Sequence, residues 1–229
     1  MAVMPPASAG PLEDGNAAYA RGDFAAALRL LTVAGERGGA PQALTTIGMM
    51  YEQGQGVRLS ATEALKWYRR AADAGYGPAI VNLALIYSGF GGTTGIPANL
   101  PEAAKWLRVG ADLGYAPAQA MLGFAYVNGR GVAADPVEAK KWLTLAAERL
   151  PTGRERDEAI RNRDTLAARL SPAQNQAVRE AALRWRPKGA EPDAGEAPPV
   201  APVPAAAVTP ARSEEHTSEL QSRGLISYA

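Results

Sequence analysis

The stretch "GYAPAQAMLGFAYVNGRGV" at residues 114–132 is written in similar form twice earlier in the chain. The earlier copies are "GYGPAIVNLALIYSGFGG" from residue 75 and "GGAPQALTTIGMMYEQGQGV" from residue 38. One alanine and one tyrosine recur at the same two intervals, 36 and 39 residues: Ala43, Ala79 and Ala118, and Tyr51, Tyr87 and Tyr126. A fixed period of this length is the signature of a solenoid built from stacked repeats.

Each period predicts two helices. In the first copy Ala43, Ile47, Met50 and Tyr51 recur every three or four residues, which places them on one helix face. In the second helix the expected apolar side holds Ala64, Trp67, Ala71 and Ala72. The spacing of Trp67, Trp106 and Trp142 favours core packing for these rings over an aromatic binding platform.

Turn and cap residues separate the predicted helices. Gly54 ends the first helix, and Ser60 with Glu63 matches a capping box at the start of the second. Small residues are expected to let paired helices approach closely: Gly48, Ala84 and Gly123. The middle copy is three residues longer, and the spacing places the insertion in "SGFGGTTGIPANLPEA" after Tyr87.

This pattern resembles the Sel-one-like repeat of bacterial proteins, a relative of the tetratricopeptide repeat. Residues 39–75 and 118–147 carry the resemblance best, while the middle copy departs from it at Ala84. Residues 18–38 resemble a degenerate leading helix pair. The resemblance implies an all-α, right-handed α-solenoid of helix-turn-helix repeats, with a concave face made by the first helix of each pair.

The chain divides into five predicted segments. A solenoid of a leading pair plus three repeats spans 12–150, and capping helices span 151–186, with Ser171 as an N-cap. The Pro- and Ala-rich residues 187–211 predict a disordered tail. Residues 1–11 are interpreted as the remnant of a signal peptide, and residues 212–229 as a non-native segment.

The last segment, "RSEEHTSELQSRGLISYA", resembles a translated sequencing adapter on both sides of an index of eight bases. It holds the only histidine, His216, and the whole chain has no cysteine. The natural part of the chain is therefore expected to lack the usual general base, thiol nucleophile and best zinc ligands. We expect no enzyme activity, no cofactor and no metal site.

Composition excludes two further classes of partner. The formal net charge of +1 gives no electrostatic footprint for nucleic acid, and no apolar run approaches the twenty residues of a membrane span. "GFGGTTG" lacks the Gly-Lys-Ser/Thr end of a phosphate-binding loop and is read as a loop within a repeat. Ala7 and Ala9 resemble a signal-peptidase site, which favours a periplasmic or secreted protein over a cytoplasmic one.

Two functions from different classes remain open on the sequence. The first is a non-enzymatic scaffold, adaptor or regulator that binds a protein or peptide on the concave face. The second is a cell-wall-associated hydrolase or carbohydrate-binding protein. For the first, the resemblance implies partner-binding residues at three equivalent positions of each first helix: Thr45, Met49, Glu52, Val81, Leu85, Ser88, Ala120, Phe124 and Val127.

Overall fold

The computed structural model describes residues 10–89 and 95–188. Within these ranges the chain forms ten α-helices and no strand: α1 Pro11–Ala20, α2 Phe24–Glu36, α3 Pro41–Gln53, α4 Ala61–Asp73, α5 Gly77–Tyr87, α6 Leu100–Asp112, α7 Ala116–Asn128, α8 Pro136–Arg149, α9 Arg154–Arg169 and α10 Pro172–Arg184. Each helix from α1 to α8 packs on the next one in sequence, and α10 folds back onto α8. The prediction of an all-α solenoid is confirmed.

Four pairs of helices form the solenoid, with α1, α3, α5 and α7 as first helices and α2, α4, α6 and α8 as second helices. Helix α1 of the leading pair begins at Pro11, next to the predicted solenoid start at residue 12 and before the stretch 18–38 that resembles the repeat. A proline in the first turn, followed by Glu13 and Asp14 near the positive end of the helix dipole, favours a helix start at this point.

A small residue on each first helix faces a large one on its second helix. A Cβ added to Gly48 would lie 2.6 Å from the ring of Tyr68, and one added to Gly123 would lie 2.7 Å from Leu143. Ala84 is buried in the same cluster as Leu107. The prediction that these small residues permit close approach is confirmed.

Tyr68 is the large residue that the sequence interpretation overlooked. Its side chain is completely buried on α4, whereas the neighbouring Trp67 is only half-buried. The two positions are adjacent, about 100° apart on the helix, so Tyr68 lies between Ala64 and Ala72 within the apolar stripe and Trp67 lies at its edge. The glycine opposite Tyr68 leaves room for its ring.

The loop inside each repeat is closed by the same hydrogen bond. The carbonyl oxygen of the repeated tyrosine accepts from the N-cap residue of the second helix: Tyr51 from Ser60 at 2.8 Å, Tyr87 from Asn99 at 2.7 Å and Tyr126 from Asp135 at 3.1 Å. The insertion of the middle repeat therefore lies between Tyr87 and Asn99, as predicted, although residues 90–94 lie outside the described residues.

Of the two hydrogen bonds of the capping box predicted at Ser60, one is formed. Its hydroxyl accepts from the N–H of Glu63 at 3.2 Å. The return bond is not formed, because the N–H of Ser60 donates to Tyr51 and the Glu63 carboxylate pairs with Lys66 at 2.7 Å. A complete capping box occurs instead at Ser171, which confirms that residue as an N-cap.

The helices α9 and α10 lie at the carboxyl end of the solenoid. The half-buried ring of Trp185, just after α10, packs edge-on against Trp142 with ring centroids 6.3 Å apart. Lys188 donates to the carboxylate of Asp112 at 2.6 Å. The division into domains stays a prediction, and residues 1–9, the tail beyond 188 and the adapter-like segment lie outside the described residues.

Candidate functional site

The predicted binding side of the solenoid is the side of the first helices. Helix α1 packs against α3, and α5 against α7, whereas consecutive second helices are not in comparable contact. We call the side of α1, α3, α5 and α7 the concave side, as the resemblance to the repeat family implies.

The central row of the predicted site consists of Met49, Leu85 and Phe124, which occupy one position on three successive first helices. All three side chains are half-buried. Met49 packs against the core between α3 and α5, and Phe124 against the core shared by α7, α8 and α9. Met49 and Phe124 therefore contribute to packing, and each of the three side chains keeps an accessible part.

The row one turn earlier is more buried. Thr45 and Ala120 are each 6% exposed, and the Thr45 hydroxyl donates to the Pro41 carbonyl at 2.8 Å within its own helix. Val81 is half-buried against the next pair. Burial leaves Thr45 and Ala120 little surface for contact with a partner, although their assignment to the site remains untested.

The row one turn later holds Glu52, Ser88 and Val127, all half-buried. The Tyr68 hydroxyl donates to the Glu52 carboxylate at 2.6 Å. Burial first, and then the charge of Glu52, raises the pKa of Tyr68, so this hydroxyl stays protonated and holds the carboxylate in place. The Ser88 hydroxyl donates to the Leu85 carbonyl at 2.7 Å.

The sequence interpretation missed polar side chains beside the central row. Thr46 and Asn82 are half-buried two positions before the small residues of α3 and α5, where α7 has the apolar Met121. Gln53 and Asn128 are exposed near the helix ends. The repeat alignment could have indicated these residues, because each directly follows a residue of the predicted site. Amide and hydroxyl groups can both donate to and accept from a peptide backbone.

The two sides of the solenoid differ in their content of basic residues. No lysine or arginine occurs on α1, α3, α5 or α7, whereas α4, α6 and α8 carry eight: Lys66, Arg69, Arg70, Lys105, Arg108, Lys140, Lys141 and Arg149. Glu52 is the charged member of the predicted site. The concave side is thus apolar and amide-rich, with no cation on its helices.

The described residues contain no group of three or more His, Cys, Asp or Glu side chains that could hold a metal ion. A cavity of about 250 Å³ lies beside Val127, between the loop before α8 and the end of α9, with Leu166 and Leu170 in its wall. Among the described helices, none combines the length and apolar character that a bilayer crossing requires.

Three comparisons place the chain among known proteins. The family model described as Sel1 repeat matches residues 41–76, 77–115 and 116–149. The crystal structure of a Sel1 repeat protein from Oxalobacter formigenes is similar, with 30% identity and a TM-score of 0.58. The likeness covers 69% of this chain, which spans 59% of the length of that protein.

A second similar structure is c5321, a protective antigen present in uropathogenic Escherichia coli strains that displays an SLR fold. It is 19% identical, with a TM-score of 0.37, and the likeness covers 76% of this chain and 52% of that one. No curated protein matches the chain. The three matched repeats coincide with the pairs α3–α4, α5–α6 and α7–α8. The chain therefore contains three consecutive Sel1 repeats, at residues 41–149.

Proposed function

We propose that this chain is a non-enzymatic scaffold or adaptor that binds an extended segment of a protein partner along its concave side. The observation that carries the proposal is the row of Met49, Leu85 and Phe124, three half-exposed apolar side chains from successive first helices. Apolar side chains aligned in this way can receive apolar side chains of an extended peptide.

The neighbouring polar groups indicate which kind of peptide segment this side can bind. Asn82, Gln53 and Asn128 can bond to a peptide backbone, which would hold the segment in an extended form. Without lysine or arginine on the first helices, this side offers no site for a carboxylate or phosphate group. The preferred segment is apolar and carries no net negative charge.

The scaffold role is tested by comparing how well variants capture a partner when an aspartate is introduced on the concave side or on a second helix. The tagged wild type is used as bait in an extract of the source organism, beside Leu85→Asp and Phe124→Asp. Val109→Asp is the matched control, because Val109 is an exposed valine on the second helix α6. We expect both concave-side variants to lose the proteins that wild type and Val109→Asp retain.

Circular dichroism and thermal unfolding accompany each bait, since a charge that unfolds the repeat would also abolish capture. Loss of fold in both concave-side variants would show that the row belongs to the core. Unchanged capture by folded variants would move the binding site to another side of the solenoid.

An exported location is part of the same proposal. It rests on Ala7 and Ala9, which match the small residues before a signal-peptidase site and lie outside the described residues. An antibody against the protein should detect it in the periplasmic or secreted fraction of the source organism. Detection in the cytoplasmic fraction alone would reject this location and leave the scaffold role standing.

A further inference from the structure

A lysine occupies a buried position that is apolar in the other repeats. Lys140 lies on α8, directly before the Lys141-Trp142 pair, and it is 8% exposed. The equivalent residues of the two preceding repeats are Leu65 and Ala104. The last repeat thus has a cation where the repeat pattern needs none.

Lys140 forms no ion pair with a carboxylate in the described part of the chain. Its Nζ donates to the Oδ1 of Asn175 on α10, and no carboxylate of the described residues lies within the 4.0 Å of an ion pair. A buried charge without a counter-charge is costly, even when one hydrogen bond remains. Two of the three Nζ protons are left for another acceptor.

Two arginines converge on the same place. The Asn175 amide is fixed between helices, because its Nδ2 donates to the carbonyls of Ala167 and Leu170, both at 3.0 Å. Arg179 lies one turn after Asn175 on α10, and Arg163 lies one turn before Ala167 on α9. Both therefore belong to the helix faces that meet around Lys140.

The charges at this junction do not balance. Arg163 donates to the neighbouring Asp164 carboxylate at 2.8 Å, and Arg179 donates to the neutral amide of Gln176 at 2.9 Å. Burial first, then the charges of Arg179 and Arg163, lowers the pKa of Lys140, while Asp164 acts in the opposite direction. Asp164, the carboxylate that acts on Lys140, is thus already hydrogen-bonded by Arg163.

We propose that Lys140, Arg163 and Arg179 bind a small inorganic oxyanion such as phosphate where α8, α9 and α10 meet. The anion would supply the missing counter-charge, and each arginine retains N–H donors beyond the one it uses. Because the three cations come from three helices, the bound anion would hold α9 and α10 against the last repeat. This site lies apart from the concave row and does not depend on the scaffold role.

Thermal unfolding of the full chain tests the site. Sodium phosphate at pH 7 should raise the unfolding midpoint by several degrees and saturate, while sodium chloride at the same ionic strength should not. Arg179→Gln and Lys140→Leu should both lose the phosphate-dependent rise. Lys105→Gln, an exposed lysine on the second helix α6, is the matched control and should keep it.

Two results would overturn the site. One is a wild-type midpoint that rises no further in phosphate than in chloride at equal ionic strength. The other is an equal phosphate-dependent rise of the midpoint in wild type and Arg179→Gln. Because Arg179 is exposed, its replacement should leave the fold intact. If Lys140→Leu fails to fold, the comparison between Arg179→Gln and Lys105→Gln still decides the question.

Discussion

The guanidinium of Arg108 lies 5.1 Å from the ring centroid of Trp142, so it joins the second helix of one repeat to that of the next. The same group donates to the Tyr126 hydroxyl on α7 and lies 3.6 Å from the Glu138 carboxylate. Arg69 repeats the arrangement one repeat earlier, 5.9 Å from Trp106 and 3.0 Å from the Tyr87 hydroxyl. Arginine, tyrosine and tryptophan therefore link adjacent helix pairs on the outer side.

Replacing these arginines tests the strength of the link. Arg108→Gln should lower the free energy of unfolding by about 1–2 kcal/mol, the sum of a lost cation–π contact and a lost hydrogen bond. Arg69→Gln should cost less, because its ring is farther away and its guanidinium makes no ion pair among the described residues. Urea midpoints at equal slope give the comparison. A larger loss from Arg69→Gln would contradict this ranking.

Trp142 should be the most sensitive of the three repeated tryptophans. Its side chain is 1% exposed and packs between the pairs α5–α6 and α7–α8. Trp142→Ala should cost roughly 3–5 kcal/mol, as expected for a large aromatic removed from a core. The half-buried Trp67 should cost less on the same change. An equal shift of the denaturation midpoint for both variants would show that burial does not set the difference.

Gly48→Ala should destabilise the protein although alanine is the better helix former. The new Cβ would lie 2.6 Å from the Tyr68 ring, which is itself completely buried and cannot move outward. We expect a loss of about 1–3 kcal/mol from overpacking, against a gain of about 1 kcal/mol in helix propensity. Urea denaturation measures the balance. A net gain in stability would show that α3 and α4 can separate at little cost.

The architecture could be predicted because the same residue types recur at the same intervals in three copies of the repeat. Ala43, Ala79 and Ala118 fix the register, and any residue type that returns at those intervals must serve the stacking of pairs. Single positions were harder to predict. Trp67 and Tyr68 are neighbours with similar apolar character, and only the space left by the opposite glycine decides that Tyr68 is the buried one.

The candidate site was less predictable for a physical reason. A first helix packs on its own second helix and on neighbouring helices, so more than one of its faces needs apolar residues. Thr45 and Ala120 are each 6% exposed, and Ala120 lies in a cluster with residues of α8 and α9, a contact that the spacing within one helix does not contain. The cations around Lys140 come from three helices, and no local pattern brings them together.

Gln119 should be replaceable by leucine with a gain in stability. Its side chain is completely buried, its Nε2 donates to the Ala111 carbonyl at 3.2 Å, and its Oε1 has no partner. The equivalent residues of the two preceding repeats are Leu44 and Ile80, both buried.

Gln119→Leu would remove a buried, unpaired acceptor and leave no new one. The Ala111 carbonyl still accepts from the N–H of Gly114 at 3.1 Å, so it keeps a partner. We expect the free energy of unfolding to rise by about 1 kcal/mol, measured by urea denaturation. Gln42→Leu, the same change at an exposed position of α3, should stay within about 0.5 kcal/mol of wild type. A loss of stability in Gln119→Leu would mean that the glutamine oxygen is satisfied in solution, by a water molecule held between α6 and α7.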